Sequence, residues 1–185
     1  AYWAQEARAG FGGRNESQLE QAFNQYVLQR ILGYTEEVAA TAGTMRAKQP
    51  IGPRIVDVAL GQFARATAAI VAPVELKGPK TDLDRVMAGR AKTPVQQAWE
   101  YAMDAPGARW VLVANMRFLR LYAFGHGTTA YEEFNLEFID EPDDLKRLIL
   151  LLHASNLLGT ATAGLLTRSA TEDRDITNQL YRDYR

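Results

Sequence analysis

The 185-residue chain is long enough for one ordinary domain with a real core, and 47 % hydrophobic and 23 % charged residues make it globular rather than disordered. A net charge of −1 supplies no global basic field, so binding to nucleic acid would need a local patch. The absence of cysteine excludes a disulfide framework and a thiolate zinc site and fits a reducing cytoplasm, and no apolar run nears the ~20 residues of a membrane span.

Residues 1–14 mix Tyr2, Trp3 and Phe11 with glycines and read as a partly ordered arm. A helix follows over 15–33, with Asn15 as N-cap, Gln18 as its capping-box partner, Gly33 as the stop, and Leu19, Phe23, Tyr26, Val27 and Ile31 as its buried stripe. Residues 34–50 are ambiguous between a short strand and a turn. "RIVDVALG" (54–61) and "AAIVAPVELK" (68–77) read as antiparallel strands joined through a break at Gly61–Thr67. After a loop, "TPVQQAWEYAMDA" predicts a helix with Thr93 as N-cap, Pro94 in its first turn and Gln96 completing a capping box. "RWVLVAN", "FLRLYAF" and "YEEFNLEF" read as further strands, and "EPDDLKRLILLLHASNLL" as one helix. The order predicts an α/β domain with a mixed central β-sheet flanked by helices. The chain opens without Met and stops inside a polar, helix-period segment, so it reads as a domain of a longer polypeptide.

The charges inside the strands are the informative feature. Alternation places Val56, Val58 and Leu60 on one face of their strand and Asp57 on the other, with Ile55 and Ala59. On the next strand, Val74 and Leu76 share a face and Glu75 and Lys77 share the opposite one. If the two strands pair, Asp57 and Glu75 lie side by side, where they repel unless a cation stands between them; hard oxygen ligands make Mg²⁺ the natural one. Lys77 then projects beside the metal, placed to meet a substrate phosphate or orient a water. Counting 100° per residue, Glu16 falls within the arc of Leu19, Phe23 and Val27, with Glu20 near its border. A bland reading gives Glu16 only the favourable place of an acid at a helix N-terminus.

Asp57 followed by Glu75-Leu76-Lys77 resembles the D…(D/E)xK signature of the PD-(D/E)XK nuclease superfamily. Gln97 and Tyr101 in "QAWEY" are similar to the QxxxY element that follows it, and Glu16 to the acidic residue of the first helix. The "VLVANMRFLRLYAF" hairpin also resembles the strand pair beyond QxxxY in the N-terminal endonuclease domains of large restriction-modification polypeptides. Val56 stands where the signature has its proline. The resemblance implies a restriction-endonuclease-like core over 15–155 and a helical connector over 156–185, leading to methyltransferase and target-recognition domains in the full-length chain. It implies that Asp57, Glu75 and the Leu76 carbonyl hold Mg²⁺, with Mn²⁺ as a substitute, and that Lys77 positions or activates water. Glu16 would touch the metal's hydration shell or a second ion, and Gln97 and Tyr101 would line the groove. The implied activity is that of a type II restriction endonuclease-like deoxyribonuclease, hydrolysing double-stranded DNA with inversion at phosphorus.

Bland alternatives stand beside each assignment. Glu75 and Lys77 make an ordinary ion pair on a solvated face, and Tyr101 is plain core. Lys80, with Arg85, Arg90 and Lys92, forms either a phosphate-contacting loop or a solvated one. His126 and His153 lack ligand-spaced partners. Two functional classes therefore stay open: a Mg²⁺-dependent endonuclease, and a catalytically silent nuclease-fold module that binds DNA or serves as structure.

Overall fold

The apolar runs resolve into six strands laid side by side in chain order. They are β1 (Gly43–Ile51), β2 (Arg54–Ala64), β3 (Thr67–Leu76), β4 (Trp110–Ala114), β5 (Phe118–Ala123) and β6 (Glu132–Asn135). The computed structural model describes residues 2–38, 41–65, 67–87 and 89–170. Neighbouring strands are antiparallel except β3 and β4, which are parallel, so the sheet is mixed. A parallel pair needs a crossover; here it is a long loop and helix α3 (Pro94–Met103), which lies between β3 and β4 in the chain.

Within the ambiguous segment, the edge strand β1 begins at Gly43 and runs through Pro50 to Ile51. The hairpin break also falls later than expected, because β2 runs through Gly61 to Ala64. The register shifts between Leu60 and Gly61, and a Cβ at Gly61 would stand 2.0 Å from the Ala69 carbonyl oxygen. Glycine is what lets β3 approach β2 that closely at the bulge.

Helices cover both faces. On one side, α1 (Tyr2–Arg8), α2 (Glu16–Phe23), α4 (Pro142–Leu152) and α5 (Ala154–Leu157) pack on Val58, Leu60, Ala72, Val74, Leu76, Leu112 and Ala114. On the other, α3 sets Val95, Ala98 and Ala102 against Val111, Val113 and Tyr122, and Tyr101 against Ala59 and Phe63. Val56 departs from simple alternation: it joins the cluster beneath α3 with Ala59 and Phe63 rather than the core of Val58 and Leu60. Both anticipated capping boxes form, at Asn15–Gln18 and at Thr93–Gln96. Beyond Phe23 the first long helix widens into π-helical winding over Asn24–Ile31, with Leu32 N–H donating to the Val27 carbonyl at 3.0 Å, before Gly33 closes it with a positive φ.

The expected N-terminal arm is part of the core. Trp3 is 1 % exposed, meets Phe23 edge-on with centroids 5.3 Å apart, and donates its indole N–H to the Met116 carbonyl at 3.1 Å. Arg8 ties the same helix to Asp140 at 2.7 Å. The expected single helix from Glu141 onward breaks at His153, whose extended backbone (ψ 140°) ends α4 and whose ring caps α5. Residues expected to begin a connector also pack on the domain. Leu157 and Thr162 are buried, and the Arg109 guanidinium donates to the Leu158 carbonyl at 2.8 Å. A last helix covers 161–170; the helix expected over 172–185 lies outside the described residues.

Trp3→Ala tests the place of the N-terminal segment. Urea denaturation should show a loss of about 3–5 kcal/mol, the usual cost of emptying a buried aromatic site; a loss below about 0.5 kcal/mol is what a surface arm would give.

Candidate active site

The candidate residues meet where β3 ends and both faces of the sheet come together. Ala72, Val74 and Leu76 face the larger core, so alternation turns Pro73 and Glu75 toward α3. Glu75 is 1 % exposed and Lys77 is 6 % exposed, and the Lys77 ammonium pairs with Glu75 Oε1. It also points at the Leu76 carbonyl oxygen, 3.3 Å away. The solvated-face reading of this pair is therefore overturned by its burial. Lys77 N–H donates to the Ala114 carbonyl at 2.8 Å, so the residue is fixed to β4 through its backbone as well.

Asp57 reaches the same place from β2. Its Oδ2 accepts the Leu76 N–H at 2.9 Å, which sets the carboxylate against the backbone between Glu75 and Lys77. Burial pushes the Glu75 carboxyl up from 4.5 to about 7; the nearby Asp57 charge acts in the same direction, and Lys77 and Arg90 act against it. Two carboxylates close enough to perturb each other are thus present without enough positive charge beside Glu75 to offset its burial.

α3 supplies the third side. Gln97 Nε2 donates to the Tyr101 hydroxyl at 2.7 Å, the contact expected of side chains four apart on a helix. Tyr101 is buried against Ala59 and Phe63, so it is a core residue, but its hydroxyl also faces the site. Burial raises its pKa, and the charges of Glu75 and Asp57 add to that effect. Beside Gln97 and Tyr101 opens a cleft of about 320 Å³, lined also by Arg54, Arg90, Lys92 and Glu100. Arg54 and Lys92 are engaged with Glu100, whereas the exposed Arg90 guanidinium has no carboxylate partner among the described residues.

The start of the loop after β3 is held in place at Thr81 and Asp84. Arg120, nearly buried, donates to Asp84 at 2.8 and 3.0 Å and to Glu133 at 2.7 Å, and Asn115 Nδ2 donates to the Thr81 carbonyl at 2.8 Å. Lys80 is exposed on this loop.

The first-helix acids divide the expected role. Leu19, Phe23 and Val27 are buried as the stripe requires, and Glu16 is exposed with Oε2 3.6 Å from where a Cβ on Gly78 would stand. Glu16 thus flanks the turn after Lys77 and touches neither Asp57 nor Glu75 by hydrogen bond. Glu20 reaches Asp57 instead, through a residue that no sequence pattern marks: Lys48 Nζ lies 2.8 Å from Glu20 Oε2 and 2.7 Å from Asp57 Oδ1. Alternation along "TMRAKQP" does not single out Lys48, because its partners arrive from a different helix and a different strand.

No group of three or more His, Asp or Glu side chains is gathered for a metal among the described residues. Any ion here would rest on two carboxylates and a carbonyl. Compared with known proteins, the chain matches no protein-family model, no curated protein and no solved structure.

The raised Glu75 carboxyl predicts how the metal-free protein responds to pH. Below 4.5 the group is protonated both folded and unfolded; as pH rises through 4.5 toward about 7, only the unfolded chain ionises freely. Stability should therefore fall across that window. Denaturant titrations at a series of pH values check this, and carboxyl NMR of Asp57→Asn should show the Glu75 midpoint shifted downward.

Proposed function

We propose that this chain is a Mg²⁺-dependent DNA endonuclease domain with a restriction-endonuclease-like core. The observation that carries the reading is the buried Glu75–Lys77 pair at a strand end, with Asp57 set against the intervening backbone. A buried carboxylate and ammonium are costly to maintain for stability alone. Their position at the carboxyl end of the parallel pair β3–β4 borders the crevice where open α/β sheets place ligands.

The donor set fits Mg²⁺ in chemistry. Asp57, Glu75 and the Leu76 carbonyl offer hard oxygens, and the mutual repulsion of the two carboxylates falls when a cation joins them. When bound, the ion supplies Lewis-acid stabilisation of negative charge on phosphate oxygens. Lys77 orients the attacking water and offsets charge on the scissile phosphate, while Glu75 fixes its ammonium. Tyr101, bonded to Gln97, closes the α3 side of the site and restricts water there. Arg90, Lys92 and Arg54 give the adjoining cleft a positive lining suited to the flanking phosphates of DNA. On this reading the domain is the cleavage module of a restriction-modification polypeptide, with sequence recognition and methylation residing elsewhere in that chain.

A second reading has its own observation. The Asp57 and Glu75 carboxylates both already contact protein ammonium groups, Lys48 and Lys77, an arrangement that also suits a silent nuclease-fold module binding DNA without cutting it.

Cleavage of supercoiled plasmid discriminates between the two. With Mg²⁺ or Mn²⁺ the wild-type chain should nick or linearise DNA, and chelation should stop it. The Glu75→Gln/Lys77→Met double variant leaves no lone buried charge, so it should fold normally by circular dichroism and lose at least about a hundredfold in rate. DNA binding without metal-dependent cleavage by the wild type would establish the silent module.

A further inference from the structure

Lys48 occupies an unusual position for a strand lysine. Its backbone has φ +49°, in the left-handed region that a residue with a Cβ enters only with strain. On either side of it, Ala47 pairs with Val58 and Gln49 with Val56, so the strained residue stands opposite Asp57. The side chain leaves the strand there and places its ammonium between two carboxylates, 2.8 Å from Glu20 and 2.7 Å from Asp57. Glu20 belongs to the helix layer on one face of the sheet and Asp57 to a strand, so the ammonium is what joins them. The Asp57 oxygen it holds is Oδ1, the one left over after Oδ2 has accepted the Leu76 N–H.

We infer that Lys48 holds the place of a cation at Asp57, and that a divalent ion entering the site displaces it. This rests on the reading of Asp57 as a metal ligand. The oxygen that would face the ion is the oxygen Lys48 covers, and two cations cannot share it closely without repulsion. The Lys48 side chain is 57 % exposed, so it can swing into water without opening the core, whereas the Lys77 side chain, 8 % exposed, cannot. Lys48 is thus a positioning residue: it keeps Glu20 and Asp57 together in the ion-free protein and sets the threshold for ion entry.

The test is Mn²⁺ calorimetry on the whole chain, comparing wild type, Lys48→Gly, Lys48→Arg and Asp57→Asn. Glycine accepts the left-handed backbone without strain, and arginine keeps the charge. Displacement predicts that Lys48→Gly binds Mn²⁺ tighter by roughly tenfold, the factor that about 1.4 kcal/mol of lost ion pairing represents. Lys48→Arg should stay close to wild type, and Asp57→Asn should bind nothing. A second readout is the Lys48 Nζ resonance of isotope-labelled protein, which should move toward that of a free lysine as Mg²⁺ is added. Unchanged or weaker binding in Lys48→Gly, with Asp57→Asn still silent, overturns the displacement and leaves the metal centre standing. Absence of binding in wild type and Lys48→Gly alike, with duplex DNA present, overturns both.

Discussion

The arrangement at the end of β3 depends on one buried ion pair. An isolated Glu75 or Lys77 in that position would lose its hydration with little in return, whereas together each satisfies part of the other. The pair is also held by its backbone: Leu76 N–H is taken by Asp57 and Lys77 N–H by the carbonyl of Ala114. Three strands are therefore committed to the placement of two side chains. Removing one partner strands a charge, while removing both leaves a packing problem only, and this asymmetry separates the contribution of the pair to folding from its contribution to chemistry.

The rest of the molecule can be understood as support for that point. The larger core on one face, with Trp3, Phe23 and Leu76, fixes the sheet and the first helices relative to each other. On the opposite face α3 brings the Tyr101 hydroxyl, held by Gln97, toward the carboxylates. Arg120 reaches from β5 to Asp84 and Glu133, which anchors the loop carrying Lys80 and Arg90 to the sheet. Positive groups around the cleft are thus placed by ion pairs and strand geometry, although the chain as a whole carries almost no net charge.

Much of this was legible in the sequence because it follows short-range rules. Both capping boxes, the stripe of Leu19, Phe23 and Val27, and the common face of Glu75 and Lys77 depend only on helix and strand periods. What escaped depends on distant partners. Trp3 sits in a glycine-rich stretch that looks like an arm until Met116 supplies an acceptor for its indole. Val56 leaves its expected face beside Asp57, and Lys48 matters only because β1 lies against β2 while α2 lies nearby. His153 interrupts an apolar helical run through its backbone conformation, which no side-chain periodicity encodes. Helix angle and the family resemblance both point to Glu16 as the first-helix acid, and neither separates Glu16, beside Gly78, from Glu20, tied to Lys48.

The mixed sheet has a kinetic consequence. β1, β2 and β3 follow one another as antiparallel neighbours, and so do β4, β5 and β6, so each trio closes only short stretches of chain. The seam between the trios is the parallel pair β3–β4, with only Val74, Glu75 and Leu76 in register with Leu112, Val113 and Ala114. Closing it means restraining the whole intervening loop and α3, an entropic cost that must be met before the contacts return anything. The hydrogen bond from Lys77 to Ala114 lies at the end of this seam. The two meanders can form early and independently. Asp57, Glu75 and Lys77 all belong to the first meander, so closing the seam adds the Ala114 anchor beneath Lys77 and seats α3 beside carboxylates that β2 and β3 already bring together.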